Sequence, residues 1–130
     1  MQKLYTIQTR ENLNDIYRMG EPGPGGAYHD YDIYDVADLP VLPGYGPHPE
    51  VALACIEFQR GPRKDPNARH GVCDQDLLEI VRDRLRAFCN GDMSNPETER
   101  ALSHVEAALF HLNQRIEDRI ARGVLGTMEK

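Results

Sequence analysis

At 130 residues the chain can form one domain, or a small β-sheet part fused to a helical hairpin. Its 21 acidic residues outnumber 15 lysines and arginines, and the formal net charge of −6 argues against general binding of DNA or RNA through a basic surface. The charge still allows a small phosphate-bearing ligand held by a few local arginines. Because the core is modest, assembly with further copies would help to stabilise the fold.

The cysteines and the N-terminus favour a soluble, intracellular protein with no membrane partner. The three cysteines, Cys55, Cys73 and Cys89, are spaced too widely for a metal knuckle, and an odd number does not suit a secreted disulfide framework. The N-terminus lacks the charged-then-apolar pattern of a signal peptide, and no apolar run approaches the length of a membrane span.

Residues 1–73 are predicted to hold a small antiparallel β-sheet. Residues 51–59 form the best strand, and because both alternating faces are mostly apolar we expect it to be covered on two sides. Residues 28–38 alternate polar and apolar side chains and make the second strand. Residues 4–7 are a possible short strand, and residues 12–19 fit either a helical turn or a strand. The N-terminal segment is therefore a candidate third strand.

Two segments rich in glycine and proline interrupt these strands. Residues 20–26 read Gly-Glu-Pro-Gly-Pro-Gly-Gly, which excludes regular structure. They are interpreted either as a linker or as an ordered loop against a ligand or a neighbouring subunit. Residues 39–49 carry four prolines and two glycines and form a connecting loop, which suggests that the strands on either side pair antiparallel.

A basic cluster follows the last strand. Arg60, Arg63, Lys64 and Arg69 fall within ten residues, among prolines and Gly61. One interpretation is an ordinary solvated loop. The other is an anion-binding loop, because guanidinium groups suit phosphate oxygens and glycine lets backbone N–H groups approach closely.

The last part of the chain, residues 74–130, is predicted to be a helical hairpin with a short tail. The first helix spans residues 74–88, with Asp74 as candidate N-cap, and it ends at Asn90 and Gly91. Its apolar face comprises Leu77, Leu78, Val81, Leu85 and Phe88. The loop at residues 91–94 is short enough to make the next helix antiparallel.

The second helix is the longest element of the chain. Asn95 is its predicted N-cap, Pro96 suits the first helical position, and Gly123 is a plausible left-handed C-cap. Its apolar stripe consists of Leu102, Val105, Leu109, Leu112 and Ile116. At about 1.5 Å per residue the helix is on the order of 40 Å long, more than a small domain can cover. We therefore expect the hairpin's remaining apolar face to form an oligomer.

A polar row near the end of this helix is a candidate phosphate site. His111, Arg115, Arg119 and Arg122 share one face, with Asn113 nearby. The alternative is compensation of the helix dipole, together with pairing to acidic neighbours or to a neighbouring subunit. The segment Gly123 to Thr127 adds backbone N–H groups and a hydroxyl that can surround an anion.

Signatures of catalysis are absent from the sequence. It has no GxxxxGK[ST], CxxC, HExxH or GxSxG motif, and no two histidines are paired at ligand spacing on a helix. We expect no catalytic residue, no metal site and no cofactor, and the less favoured alternative is a metal site at His29, Asp30 and Asp32 in the predicted strand.

Several segments together resemble one phage protein family. Phe58-Gln59-Arg60-Gly61-Pro62 resembles its strand end, and His70-Gly71-Val72 followed by Asp76-Leu77-Leu78 and the segment Ile80 to Leu85 resembles its first helix. A third set of residues resembles the closing helix and tail of the family. This set comprises Glu97, Thr98, Ala101, Leu102, Glu106, Leu109, Leu112, Arg115, Arg119 and the run Arg122 to Thr127. The resemblance covers residues 51–130 and rests on the order and spacing of these pieces.

The family comprises phage anti-defence proteins that act as sponges for immune signalling nucleotides. One branch counters Thoeris by sequestering glycocyclic ADP-ribose, and a related branch with the same helical hairpin counters CBASS by sequestering cyclic oligonucleotides. The resemblance implies an α+β fold with a small antiparallel sheet followed by the hairpin, a homo-oligomer built as a dimer or hexamer, and action in the host cytoplasm. The length and the β-containing half look more like the Thoeris branch.

The resemblance, read with the candidates above, implies a binding site and no chemistry. Arg60, Arg63, Arg115, Arg119 and Arg122 are expected to pair with phosphates, and Gly126 and Thr127 to donate to the ligand. Gly61 is a further predicted contact. The base or ribose is expected to meet His70, Gly71, Val72, Asn113 or a tyrosine. The sites are expected to be shared between subunits. The alternatives are a phage structural or adaptor protein and, less favoured, an enzyme that cleaves cyclic nucleotides.

The sequence departs from the family pattern at four positions. His70 replaces an asparagine, Cys89 a glutamine, His111 an aromatic residue, and Met128 a histidine. These differences bear on the identity of the ligand more than on the fold. The change at His111 removes an aromatic side chain on which a base could stack, unless the histidine ring stacks in its place.

Overall fold

A computed structural model describes residues 1–38 and 51–130 of the chain. It confirms the predicted α+β class, with a four-stranded antiparallel sheet followed by two helices in a hairpin. Contacts divide the chain into a sheet unit, Met1–Gly61 with Arg69–Gly71, and a hairpin unit, Pro62–Ala68 with Val72–Lys130. The predicted division after residue 73 stays a prediction, and the predicted loop at 39–49 lies outside the described residues.

The sheet has the order β1-β2-β3-β4 with every neighbouring pair antiparallel. Its strands are β1 (Gln2–Lys3), β2 (Asn14–Met19), β3 (Asp30–Asp35) and β4 (Ala54–Glu57). The predicted antiparallel pair is thus confirmed as β3 and β4. The segment at 12–19, which fitted a turn of helix or a strand, is a strand.

The first strand lies earlier than residues 4–7. The backbone N–H of Leu4 still donates to the carbonyl of Ile16 at 2.8 Å, but Tyr5 and Ile7 are fully exposed. The chain leaves the ladder after Leu4, and among the described residues no strand pairs with the apolar residues that follow.

The expectation that β4 is covered on two sides is wrong for the single chain. Ala54 and Ile56 are half-buried, whereas Cys55 and Glu57 are exposed, as is Leu53 just before the strand. An apolar residue on both faces indicates burial only where a layer packs on each face, and here the face that carries Leu53 and Cys55 stays open.

A polar network lies at the most buried point of the sheet. The hydroxyl of Tyr34, a residue only 1% exposed, donates to Oδ2 of the buried Asp32 at 2.8 Å, and the ring meets Tyr17 edge-on at 5.7 Å. Burial, and then the hydrogen bond to Asp32, raise the pKa of Tyr34 to about 12. The pKa of Cys55, which lies opposite Asp32 on β4, is likewise raised, by partial desolvation although the residue is exposed overall, and then by hydrogen bonding with Asp32. The hydrogen bond between Tyr34 and Asp32 joins two residues of β3, and the ring contact with Tyr17 links β3 to β2.

The hairpin consists of α1 (Asp74–Cys89) and α2 (Pro96–Ala121). Its helices are linked where Glu106 accepts from Nε of Arg82 at 3.0 Å and from Nη2 of Arg86 at 3.3 Å. The N-cap of α1 is Cys73 and not Asp74, because the Asp76 carboxylate accepts from the Cys73 backbone N–H at 2.8 Å and starts the helix one residue earlier.

Both predicted ends of α2 are confirmed. Oδ1 of Asn95 accepts from the backbone N–H of Thr98 at 3.0 Å, and Gly123 follows the helix with φ of +71°. Within residues 1–38 and 51–130, no helix has the length and apolar character needed to cross a membrane.

We expect Asn95→Ala to lower the free energy of unfolding by about 1 kcal/mol, because the Thr98 N–H loses its cap. Denaturant unfolding followed by helical circular dichroism measures the change. Ser94→Ala, in the neighbouring loop position, is the control and should stay within about 0.5 kcal/mol of the unmodified chain. Equal stabilities of the two variants would contradict the capping role.

Candidate functional site

Arg60 and Arg69, the two ends of the basic cluster, contribute to the structure of the sheet unit. The backbones of Arg60 and Arg69 pair with each other through two N–H to carbonyl bonds of 2.9 Å. The Arg69 guanidinium donates to the carbonyls of His29 at 3.2 Å and Phe58 at 2.9 Å, and it pairs with the Asp30 carboxylate at 2.9 Å. Arg69 therefore ties strand ends together, whereas the predicted site residue Arg60 is exposed.

The glycine- and proline-rich segment at 20–26 forms an ordered turn in the same unit. The N–H of Gly23 donates to the carbonyl of Ala27 at 2.8 Å, and the N–H of Gly26 donates to that of Gly23 at 3.0 Å. A Cβ at Gly23 would lie 3.0 Å from Nδ1 of His29 and 3.4 Å from Cζ of Arg60. The turn thus lies against Arg60, which favours the ordered-loop interpretation over a linker.

The predicted contacts Gly61, His70 and Gly71 also belong to the sheet unit. Gln59 links two of them, since its side chain donates to the Gly61 carbonyl at 3.2 Å and accepts from the Gly71 N–H at 3.2 Å. A Cβ at Gly71 would come within 2.7 Å of the backbone of Phe58. Gly71 therefore permits a close backbone crossing, and His70 beside it is exposed.

In the hairpin unit, the basic loop at residues 62–68 meets the tail, residues 123–130. The backbone N–H of Lys64 donates to the carbonyl of Gly126 at 3.1 Å. Gly126 has φ of +79°, and a Cβ there would lie 3.0 Å from Cγ of Lys64. Nη2 of Arg63 lies 3.9 Å from Sγ of Cys73 at the start of α1. The structure thus brings Gly126 to Lys64, the chain neighbour of the predicted residue Arg63.

The tail is folded around Arg119, which is only 9% exposed. Its guanidinium donates through Nη1 to the carbonyl of Glu129 at 2.7 Å, and through Nη2 to those of Val124 and Thr127 at 3.0 Å each. The Thr127 hydroxyl donates to the Val124 carbonyl at 2.6 Å and accepts from the Glu129 N–H at 3.3 Å. Arg119 and Thr127 both have partners within the tail.

The remaining members of the predicted row differ in their surroundings. Arg122 pairs with Asp118 one turn earlier at 3.0 Å and donates to the carbonyl of Lys130, as the dipole-and-pairing interpretation expected. Arg115 and Asn113 are exposed on α2, and Val72 is half-buried before α1. The four positions at helical spacing therefore do not present one continuous phosphate-facing row.

Lys64 is a further residue of this candidate site, and sequence reasoning did not select it. It was recognised only as one cation of the basic cluster, because its contact with Gly126 is made by the backbone and joins segments 62 residues apart. Within the described ranges, no group of three or more His, Cys, Asp or Glu side chains is placed to hold a metal ion.

Comparison with known proteins agrees with this architecture. A family model described as "Acb2/Tad1, hairpin domain" matches residues 50–117. The chain belongs to this family. The Acb2/Tad1 match ends before Arg119, Arg122 and the tail, so it does not bear on the arrangement at that end.

The chain is also similar to a phage protein. It is 41% identical over 78 residues to "Thoeris anti-defense 1" of Bacillus phage SBSphiJ7, a match that covers 60% of this chain and 54% of that protein. The chain thus spans about half the length of this relative. The family suggested by the sequence motifs is confirmed.

We expect Gly71→Ala to lower the stability of the chain by about 1 to 3 kcal/mol, because the new methyl group would overlap the Phe58 backbone. Gly91→Ala is the matched control, since its Cβ would meet only the Ala87 carbonyl oxygen at 3.4 Å, an ordinary contact. Chemical denaturation of both variants measures the difference. If Gly71→Ala is as stable as Gly91→Ala, the close crossing is not required by the fold.

Proposed function

We propose that this chain is a phage anti-defence protein that binds a cyclic immune signalling nucleotide and holds it without cleaving it. The ligand is glycocyclic ADP-ribose, a cyclic oligonucleotide of CBASS, or both, and sequestration in the host cytoplasm deprives the defence effector of its activator. Membership of the Acb2/Tad1 family and the name of the phage relative, "Thoeris anti-defense 1", support the proposal.

The observation that carries the proposal is the meeting of the basic loop and the tail in the hairpin unit. Arg63 and Lys64 are adjacent, exposed cations in a chain of net charge −6, and the backbone bond from Lys64 to Gly126 sets Lys64 beside a residue with positive φ. Cationic side chains beside backbone groups of a glycine turn match the oxygen atoms of a phosphate. A charge-assisted contact of this kind binds a small anion without requiring a basic surface.

The other predicted residues are given roles that fit their surroundings. Arg60, Arg115 and Arg122 are exposed and pair with phosphates in the proposed complex. His70 and Asn113, also exposed, meet a base or ribose. Gly126 and Thr127 donate to a ligand at the tail, and Gly61, Gly71 and Val72 stay predicted ligand contacts. We further propose that residues from different copies of the chain complete each site.

Self-association is proposed from the apolar side chains that the hairpin leaves exposed. They are Ile80 at 58%, Val81 at 41% and Phe88 at 40% on α1, and Phe110 at 59% and Ile120 at 52% on α2. Side chains of this size on two adjacent helices favour burial against another apolar surface. A second copy of the same hairpin supplies one, in a dimer or a hexamer.

A sequestration assay tests the function directly. The purified protein is mixed with glycocyclic ADP-ribose, or with cyclic di- and trinucleotides, and removed by filtration, and both the filtrate and the heat-released fraction are analysed by chromatography. We expect loss of a nucleotide from the filtrate and its intact recovery after heating. Altered product would indicate a nucleotide-cleaving enzyme. Lack of depletion of every candidate would leave a phage structural or adaptor protein.

The same assay tests the basic loop. Arg63→Glu should weaken nucleotide binding at least about tenfold, because one charge-assisted contact is replaced by repulsion. Arg100→Glu is the matched control: it makes the same charge change at an exposed position in the first turns of α2. If the two variants bind equally well, the basic loop does not contact the ligand.

For assembly, we expect light scattering to give a mass well above the 14.7 kDa of one chain. Phe110→Glu should lower that mass, because it places a charge in the proposed apolar contact. His104→Glu, at an exposed position about 120° away around α2, should not. A monomeric mass for the unmodified protein would exclude the proposed assembly.

A further inference from the structure

The surroundings of Arg119 distinguish it from the other arginines of the predicted row. A guanidinium has four terminal N–H groups, and in Arg119 three of them donate to tail carbonyls, with both hydrogens of Nη2 engaged. A guanidinium grips a phosphate through two neighbouring donors, and both such pairs in arginine include Nη2. Direct bidentate binding of phosphate would therefore break a bond that now holds the tail.

The tail in turn holds the basic loop. Three of its carbonyls accept from Arg119, and a fourth, at Gly126, accepts from the Lys64 N–H at 3.1 Å. The backbone N–H of Val124 also donates to the Arg119 carbonyl at 3.0 Å, and that of Thr127 donates to the Val124 carbonyl at 3.1 Å. The tail is thus bonded to Arg119 on one side and to the loop that carries Arg63 and Lys64 on the other.

We infer that Arg119 is a positioning residue, which fixes the tail against the basic loop and so sets the ligand-binding geometry without touching the ligand. The inference rests on the proposed function for its ligand, but the clamp itself is a property of the free protein. It assigns direct contact with phosphate to the exposed arginines and a supporting role to the buried one.

Three variants separate positioning from direct charge pairing. Arg119→Gln removes the charge and most of the donors. Arg119→Lys keeps the charge but has a compact head that cannot span three separated carbonyls. Gly126→Ala keeps Arg119 and disturbs the tail, because alanine disfavours φ of +79° and its Cβ would crowd Lys64. Arg100→Gln, an exposed position on α2, is the control.

The first readout is hydrogen–deuterium exchange of the free protein, at the Val124 and Thr127 amides. We expect exchange at least about tenfold faster in both Arg119 variants, since bonds to a charged group are lost, with α2 still protected up to residue 116. The second readout is nucleotide affinity in the sequestration assay. Both Arg119 variants and Gly126→Ala should weaken binding by similar factors, whereas Arg100→Gln should change neither readout.

Two results overturn the inference. If tail exchange in Arg119→Gln equals that of the unmodified protein, Arg119 is not the clamp. If Arg119→Lys and Gly126→Ala bind normally while Arg119→Gln does not, the charge itself acts on the ligand. If the unmodified protein depletes no nucleotide, the proposed function fails and the ligand part of the inference fails with it, whereas tail exchange still decides the clamp.

Discussion

The guanidinium of Arg119 is buried in the hairpin unit, and a cation in such a place is tolerated only when its donors are bonded. No carboxylate among the described residues pairs with it, and backbone carbonyls take that part. The helix end supplies none of these three carbonyls, so the chain after Gly123 must turn back to bring them. The positive φ of Gly123 and Gly126 makes this return possible, and the conformation of the tail follows from the need to solvate one charge.

Local signals were sufficient to predict the helices. Asn95 at the start of α2 and Gly123 after its end act within one turn of chain, and both were recognised because their effects depend on immediate neighbours. The same reasoning misplaced the cap of α1, where Asp74 and Cys73 are adjacent candidates. The helix begins after Cys73 because the Asp76 side chain accepts a hydrogen bond from the Cys73 N–H. Cysteine is not among the residues preferred as N-caps, so the sequence did not indicate this position.

Non-local contacts explain what the sequence could not predict about the candidate site. Helical spacing places Arg115, Arg119 and Arg122 near one another, but it cannot tell which of them is buried. That is decided by the tail, which returns to Arg119 and leaves Arg115 exposed. Likewise, the sequence presents the basic cluster as a single feature. In the structure its members have different partners, since Arg69 pairs with Asp30 at the start of β3 and Arg63 lies near the start of α1. Composition locates charged residues along the chain, while their partners depend on the fold.

The open apolar surfaces and the proposed ligand site place related demands on this small protein. β4 has an exposed face that carries Leu53 and Cys55, and the hairpin exposes Phe110, so part of the apolar surface typical of a core is not buried in the single chain. A binding protein that does no chemistry needs donors held rigidly at the correct spacing, because ordering them during binding would reduce affinity. In the proposed assembly, a further copy of the chain would bury this apolar surface. The Arg119 clamp, in contrast, is complete within one chain.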